Sequence, residues 1–255
     1  MRRLARSLVP LALLFSTPAF AQVNAEALRS TLKKNPRFLW LEGALAGRAG
    51  NTQTMTFNGS VFGAVAHGPH LFFAKATADY GQARSTTTVA RWLAHARYNY
   101  RVNALLALEA LGQVQHDRFR RIEVRDLYGA GLRFSFFNTN DFELFAGTTY
   151  IFEHEVIEGV QGSSGSNEVW NRSSNYIGFN GKMAALVDAN AVTYIQPRWD
   201  RPADVRVLSE AYLTVTITKV LSARVSGSLW FDSDPPSGVR SFDAEIKNSL
   251  LVKLD

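Results

Sequence analysis

The sequence predicts an all-β fold, a transmembrane antiparallel up-and-down β-barrel of about twelve strands that follows a signal peptide and a short helix. Three observations predict it. Apolar and polar residues alternate over stretches of roughly ten residues or more, the length at which a tilted strand crosses a bilayer. No run of about 18 apolar residues exists, so no transmembrane helix is available. The chain is rich in aromatics (Phe 17, Tyr 8, Trp 5), and these gather near the ends of the alternating stretches, where rings favour a lipid–water boundary.

The N-terminus reads as an export signal over residues 1–21. Arg2, Arg3 and Arg6 form a basic start, Leu8 to Phe15 an apolar core, and Ala19-Phe20-Ala21 a small-residue cleavage site. Removing it takes three arginines from a formal charge of +6, so the basic balance partly belongs to the precursor. No basic helical stripe supports a nucleic-acid partner. Residues 22–35 suggest a short periplasmic helix: Asn24 can cap it, Leu28 and Leu32 share a face, and Lys33-Lys34 suit its C-terminal dipole. Cysteine is absent, which excludes disulfides and thiolate metal sites.

Residues 36–255 form the predicted barrel. Every second side chain of a strand points to the same face. Phe72, Ala74, Ala76, Ala78 and Tyr80 oppose Phe73, Lys75, Thr77 and Asp79. Ala90, Trp92, Ala94, Ala96, Tyr98 and Tyr100 oppose Arg91, Leu93, His95, Arg97 and Asn99. Phe242, Ala244, Ile246, Leu250 and Val252 oppose Asp243, Glu245, Lys247, Ser249 and Lys253. Strands are predicted at 37–46, 53–66, 70–80, 86–100, 104–116, 121–136, 141–154, 168–180, 183–196, 204–217, 219–231 and 239–254. Tight turns fall near Gly68-Pro69, Val102-Asn103, Thr139, Gly181-Lys182 and Thr218. Longer loops fall at 47–52, 81–85, 117–120, 155–167, 197–203 and 232–238. Short turns on one rim and longer loops on the other is the outer-membrane arrangement. Phe38, Phe72, Tyr98, Tyr100, Phe134, Phe136 and Phe142 are assigned to an outward periplasmic girdle, and Tyr80, Tyr150 and Phe152 to the opposite one.

The polar face assigns a charge network to the lumen: Lys75, Arg91, Arg97, Glu109, Arg125, Arg133, Glu143, Glu153, Glu210, Arg224, Asp243, Glu245 and Lys247, with Asp79, Asp117 and Lys253 beside them. The two signs roughly balance, so cross-strand pairs are expected, with Arg133 and Glu143 flanking one tight turn. Such a lumen suits structural filling or a narrow hydrated pore of little charge preference. On the longer-loop rim, Arg118, Arg120, Arg121, Arg198 and Arg201 offer guanidinium forks to lipopolysaccharide phosphates. Asp232, Asp234, Pro235 and Pro236 mark a stiff extracellular loop, without the ligand spacing of a calcium site. Two further readings compete. In one, His116 and His154, near acids on the outer rim, serve a lipid-cleaving enzyme, although no serine stands at a recognisable spacing. In the other, the chain is a soluble periplasmic β-protein that binds a small apolar ligand.

Phe231-Asp232-Ser233-Asp234-Pro235-Pro236-Ser237-Gly238-Val239-Arg240 with Asp243, the segment Gly129-Ala130-Gly131-Leu132 after Arg125, and Tyr194-Ile195-Gln196-Pro197 followed by Asp204-Val205-Arg206 carry a resemblance. The chain resembles, from about Trp40 to Leu254, the outer-membrane proteins of domain-of-unknown-function family 481, also called YdiY-like or salt-induced. The resemblance implies an outer-membrane barrel of a Gram-negative bacterium and a possible link to salt or osmotic stress; outer-membrane lipid, lipopolysaccharide and the barrel-assembly machinery are the partners expected of such a barrel. It implies no cofactor and no catalytic residues. Outer-membrane proteins commonly end in an aromatic residue, whereas this chain ends Leu254-Asp255.

Overall fold

The computed structural model describes residues 36–50, 53–162 and 164–254. The expected export signal and the helix at 22–35 lie outside the described residues. The rest closes into one antiparallel barrel of twelve strands, each hydrogen-bonded to its sequence neighbours. They are β1 (Arg37–Arg48), β2 (Thr54–His67), β3 (His70–Ala83), β4 (Thr86–Arg101), β5 (Leu106–Asp117), β6 (Ile122–Asn138), β7 (Phe142–Ile157), β8 (Ser166–Ala184), β9 (Val187–Pro197), β10 (Val205–Thr216), β11 (Leu221–Asp232) and β12 (Phe242–Leu254). Closure comes from β1, which pairs with β2 along its whole length and with β12 from Leu39↔Leu254 to Gly43↔Leu250. Five residue pairs close the ring at this seam, and closure is the condition for a sheet to sit in hydrocarbon. The shortest strand has 11 residues, which at a tilt of about 40° rises roughly 28 Å, enough for an apolar band of about 25 Å.

Burial is inverted relative to a water-soluble core. Ile246 is 80% exposed and Leu45 76%, whereas Arg97 is 1% exposed and Glu153 0%. Leu, Val, Phe and Ala side chains cover the outside, and charges turn inward. Only an apolar medium makes that outer surface favourable, because water would penalise it at about 25 cal/mol per Å². The soluble-protein reading is therefore not favoured.

The tight turns form one rim, which also carries the start of β1 and the end of β12. Local chemistry sets them. Asn103 Oδ1 accepts from the backbone N–H groups of Leu105 (2.9 Å) and Leu106 (2.8 Å). Thr139 and Thr218 play the same part before β7 and β11, with Thr139 Oγ1 accepting from Phe142 N at 3.0 Å and Thr218 Oγ1 from Leu221 N at 2.9 Å. On the other rim a single turn of 3-10 helix, Arg118–Arg120, is capped by Asp117 and ends at Arg121 in the left-handed region (φ 63).

Four expectations are corrected. The turn placed at Gly181-Lys182 lies at 185–186, because β8 runs on to Ala184 through a register shift near Lys182. The segment 81–85 is not a long loop: β3 continues to Ala83, and Arg84 and Ser85, both at positive φ (44 and 67), make a two-residue hairpin turn, the type I′ geometry that matches strand twist. The segment 155–167 is shorter than expected, since β7 reaches Ile157 and β8 begins at Ser166. Phe38 points inward, at 7% exposure, since pairing with Ala64 puts it on the face of Trp40 and Phe62.

Two outcomes test these elements. Ser85→Gly should raise stability to urea by about 0.5–1 kcal/mol, since a left-handed conformation favours glycine. Gly147→Val should destabilise by about 1–3 kcal/mol, because a Cβ at Gly147 would collide with the Tyr176 ring. The gel-shift of folded against heat-unfolded protein, titrated with urea, reads both.

Candidate functional site: the barrel interior and its mouth

The inward face of every strand contributes to one continuous interior of stacked layers. Near the long-loop rim, Glu153 on β7 sits among three guanidinium groups. Arg125 Nε lies 3.0 Å from its carboxylate and Arg172 Nε 3.1 Å, and Arg206 Nη1 donates to it directly. Glu155 takes Arg125 at 3.3 Å and Arg206 at 3.2 Å, and Arg206 also holds Asp232 at 2.8 Å. Arg172 reaches Asp204 at 2.9 Å. Trp170 lies in the same layer, with the guanidinium carbons of Arg172, Arg198 and Arg206 at 5.8, 5.2 and 5.8 Å from its ring, within cation–π range. A cleft of about 270 Å³ opens here, lined by Arg121, Trp170, Arg172, Arg198, Arg206 and Asp234 among others.

Lower down, Arg91 on β4 donates to Asp79 on β3 (Nε to Oδ2, 2.6 Å) and reaches Glu245 on β12 at 3.4 Å. Lys247 lies 3.5 Å from Asp79, and Arg224 lies 3.1 Å from Glu42. Lys75, Glu210, Tyr212 and Ser249 complete the wall of a cavity of about 50 Å³, room for a few waters. Lys75 stands over the Phe62 ring at 4.9 Å, and Tyr212 donates to Glu210 at 3.1 Å. Toward the tight-turn rim, Arg133 donates to Glu143 at 2.9 Å and stacks over Phe145 at 4.6 Å. Asn180 also donates to Glu143, at 3.1 Å. Glu109 collects Asn99 (2.8 Å), Tyr176 (2.6 Å) and the Arg97 guanidinium (3.8 Å).

Several of these contacts join strands that are not neighbours. Tyr176 on β8 reaches Glu109 on β5, Arg206 on β10 reaches Glu153 on β7, Arg91 on β4 reaches Glu245 on β12, and Arg120 beyond β5 reaches Asp243 on β12 at 2.5 Å. Side chains therefore span the lumen. Apolar groups fill space as well. Phe145, Tyr176, Val192, Tyr194, Leu208 and Trp230 form one buried cluster; Phe38, Trp40, Phe62, Ala64, Phe73 and Leu251 form another. Of these interior rings, alternation placed Phe73 on the polar face and left the others unassigned or, for Phe38, outward. Nor did it single out Glu42, Glu155, Arg172, Asp204 and Arg206; strand parity points Glu155 and Arg206 to the faces of Glu153 and Glu210.

The rim arginines are divided. Arg118 is exposed, and Arg201 is half-exposed and pairs with Asp234 at 2.7 Å. Arg120 turns into the mouth toward Asp243. Arg121 is buried, donating to the main-chain oxygens of Glu158 (2.8 Å) and Ser237 (3.0 Å). Arg198 is held by Asp200 (2.5 Å) and Asp204 (3.2 Å), and its hydrogen bonds bring the Asp200 carboxyl down to about 2. Arg120, Arg121 and Arg198 thus have inward or local partners. Nearby carboxylates and carbonyls hold them without a long reach into solvent. Of the loop residues, Asp232 turns inward to Arg206, Asp234 binds Arg201 outside, and Pro235 and Pro236 lean over the cleft.

His116 and His154 face outward. His116 Nδ1 lies 2.9 Å from Glu123 O, and the ring stacks near Trp92. His154 lies 3.3 Å from Asp126 and 3.0 Å from Asn167 Oδ1. Among the described contacts neither ring meets a serine hydroxyl, and no cluster of three or more His, Asp or Glu could hold a metal ion among the described residues.

A closed ring of twelve strands with an oily exterior and a polar interior defines a transmembrane β-barrel of the outer-membrane type. The chain belongs to the DUF481 family, described as proteins of unknown function, whose pattern matches residues 42–254. Among solved structures, the porin NanC in a rhombohedral crystal form is 7% identical, with a TM-score of 0.52 over 84% of this chain and 98% of that one. The translocator domain of the autotransporter NalP from Neisseria meningitidis is 11% identical, with a TM-score of 0.46 over 90% of this chain and 92% of its own. The KdgM porin in complex with disordered oligogalacturonate is 8% identical, with a TM-score of 0.45 over 86% and 99%. At these identities the likeness concerns fold alone. No protein of curated function matches the sequence.

Glu153→Gln should cost about 3–5 kcal/mol, since it leaves three clustered guanidinium groups without their shared counter-charge. Urea unfolding in detergent micelles, with the wild-type protein alongside, measures it.

Proposed function

We propose that this protein is a non-enzymatic outer-membrane barrel that acts as a narrow channel, constricted at rest, through the envelope of a Gram-negative bacterium. The observation that carries the reading is the charged lining, which continues from the 270 Å³ cleft at the mouth to the 50 Å³ cavity at mid-barrel. Burying ion pairs gives less stability than packing apolar residues of the same volume. A lining this rich in charge is therefore better suited to hydrating a path than to filling a core. Near-equal numbers of both signs predict little preference between anions and cations. The side chains that span the lumen, led by Tyr176 and Glu109, would be the constriction. Export by a cleaved signal, contact with lipopolysaccharide through Arg118 and Arg201, and insertion by the barrel-assembly machinery belong to the same reading.

A second reading, an envelope-stabilising protein that conducts nothing, draws on the two buried apolar clusters. Planar-bilayer recording separates the two. The channel reading expects small, weakly selective steps from the wild-type protein and steps several-fold larger from Tyr176→Ala combined with Trp230→Ala. Silence from both, with each still showing the gel-shift of a folded barrel, would leave the stabilising role.

A further inference from the structure

The outer face of the barrel is not uniform. Between the aromatic girdles, the outward side chains of β1–β5, β11 and β12 are apolar or glycine, Asn248 apart. On β7–β10 the apolar cover is interrupted by Thr148, Asn175, Thr193 and Ser209. Thr148 Oγ1 donates to Asn175 Oδ1 at 2.8 Å, and the hydroxyls of Thr193 and Ser209 meet at 2.9 Å. The two pairs adjoin, because Ile177, two residues from Asn175, is the partner of Thr193. Thr148 stands six residues above Phe142, about 20 Å along the strand and roughly 15 Å along the barrel axis. Tyr150, an outward aromatic, lies above it. The patch therefore sits at the depth of hydrocarbon tails.

Lipid tails offer such groups nothing. The side-chain oxygen of the exposed Asn175 is satisfied within the patch, but its amide N–H groups donate to no described residue. Polar hydrogens left unpaired in hydrocarbon carry a desolvation cost that nothing there repays. A protein surface with acceptors at the same depth removes that cost. Amides and hydroxyls both donate and accept, so this patch complements itself about a two-fold axis, as an isologous contact requires.

We propose that the outward face of β7–β10, centred on Asn175, is where a second copy of this chain docks in the plane of the membrane. The proposal rests on the membrane-spanning reading and adds the partner. The chain has no cysteine, so single cysteines report proximity cleanly. Ile177→Cys and, separately, Ile195→Cys, exposed neighbours that leave Asn175 in place, should form a disulfide-linked dimer in outer-membrane fractions oxidised with iodine, which enters the bilayer. Ala94→Cys, on the opposite face, should yield at least tenfold less. Native mass spectrometry of the wild-type protein in mild detergent should show a dimer, and Asn175→Leu with Thr148→Val should weaken it at least tenfold. Equal cross-linking at all three positions, or a monomer throughout, would overturn the proposal. So would a cross-linked product of another mass, which would make the occupant a different membrane protein. The gel-shift of folded barrel, run on each sample, tells these outcomes from failure of the barrel reading itself.

Discussion

Charge compensation inside a confined, low-dielectric ring is the constraint on which the rest of the structure depends. Turning the oily face outward leaves no other place for the charged residues of twelve strands than the lumen. An unpaired charge there would be worth several kcal/mol of destabilisation, so many of the carboxylates gather guanidinium groups from whichever strands bring them within reach. Glu153 takes them from β6, β8 and β10. The bonds that result brace distant parts of the wall, which backbone ladders between neighbours do not do.

That bracing also fixes the shape of the interior. Arg–carboxylate pairs are directional and often fork-like, so they hold opposed walls at set separations. The aromatic clusters occupy what remains. Gly147 shows the fit: Tyr176 lies where any side chain at 147 would stand. The same Tyr176 hydroxyl then finds Glu109 across the lumen, so one ring belongs to both the apolar filling and the polar network.

Much of this was legible in the sequence. Period-two alternation located all twelve strands, mostly to within a few residues, because one face must be oily and the other polar. The turns were legible where a side chain closes them, as at Asn103, Thr139 and Thr218. Reading failed where pairing rather than composition decides. Phe38 looks like a girdle residue until its register against Ala64 turns it inward. Arg84 and Ser85 carry no glycine to announce a hairpin, and twist imposes their positive φ. The interior charges were found on strands with several charged residues on one face. They were missed on β1, where Glu42 follows Phe38 and Trp40. The fate of Arg120 and Arg121 depends on contacts more than a hundred residues away along the chain, which no local pattern carries.

The hold that Arg121 exerts on the mouth has an evolutionary corollary. It grips the main-chain oxygens of residues 158 and 237 rather than their side chains. Those two loops can therefore exchange their side chains freely while the tether beneath stays the same.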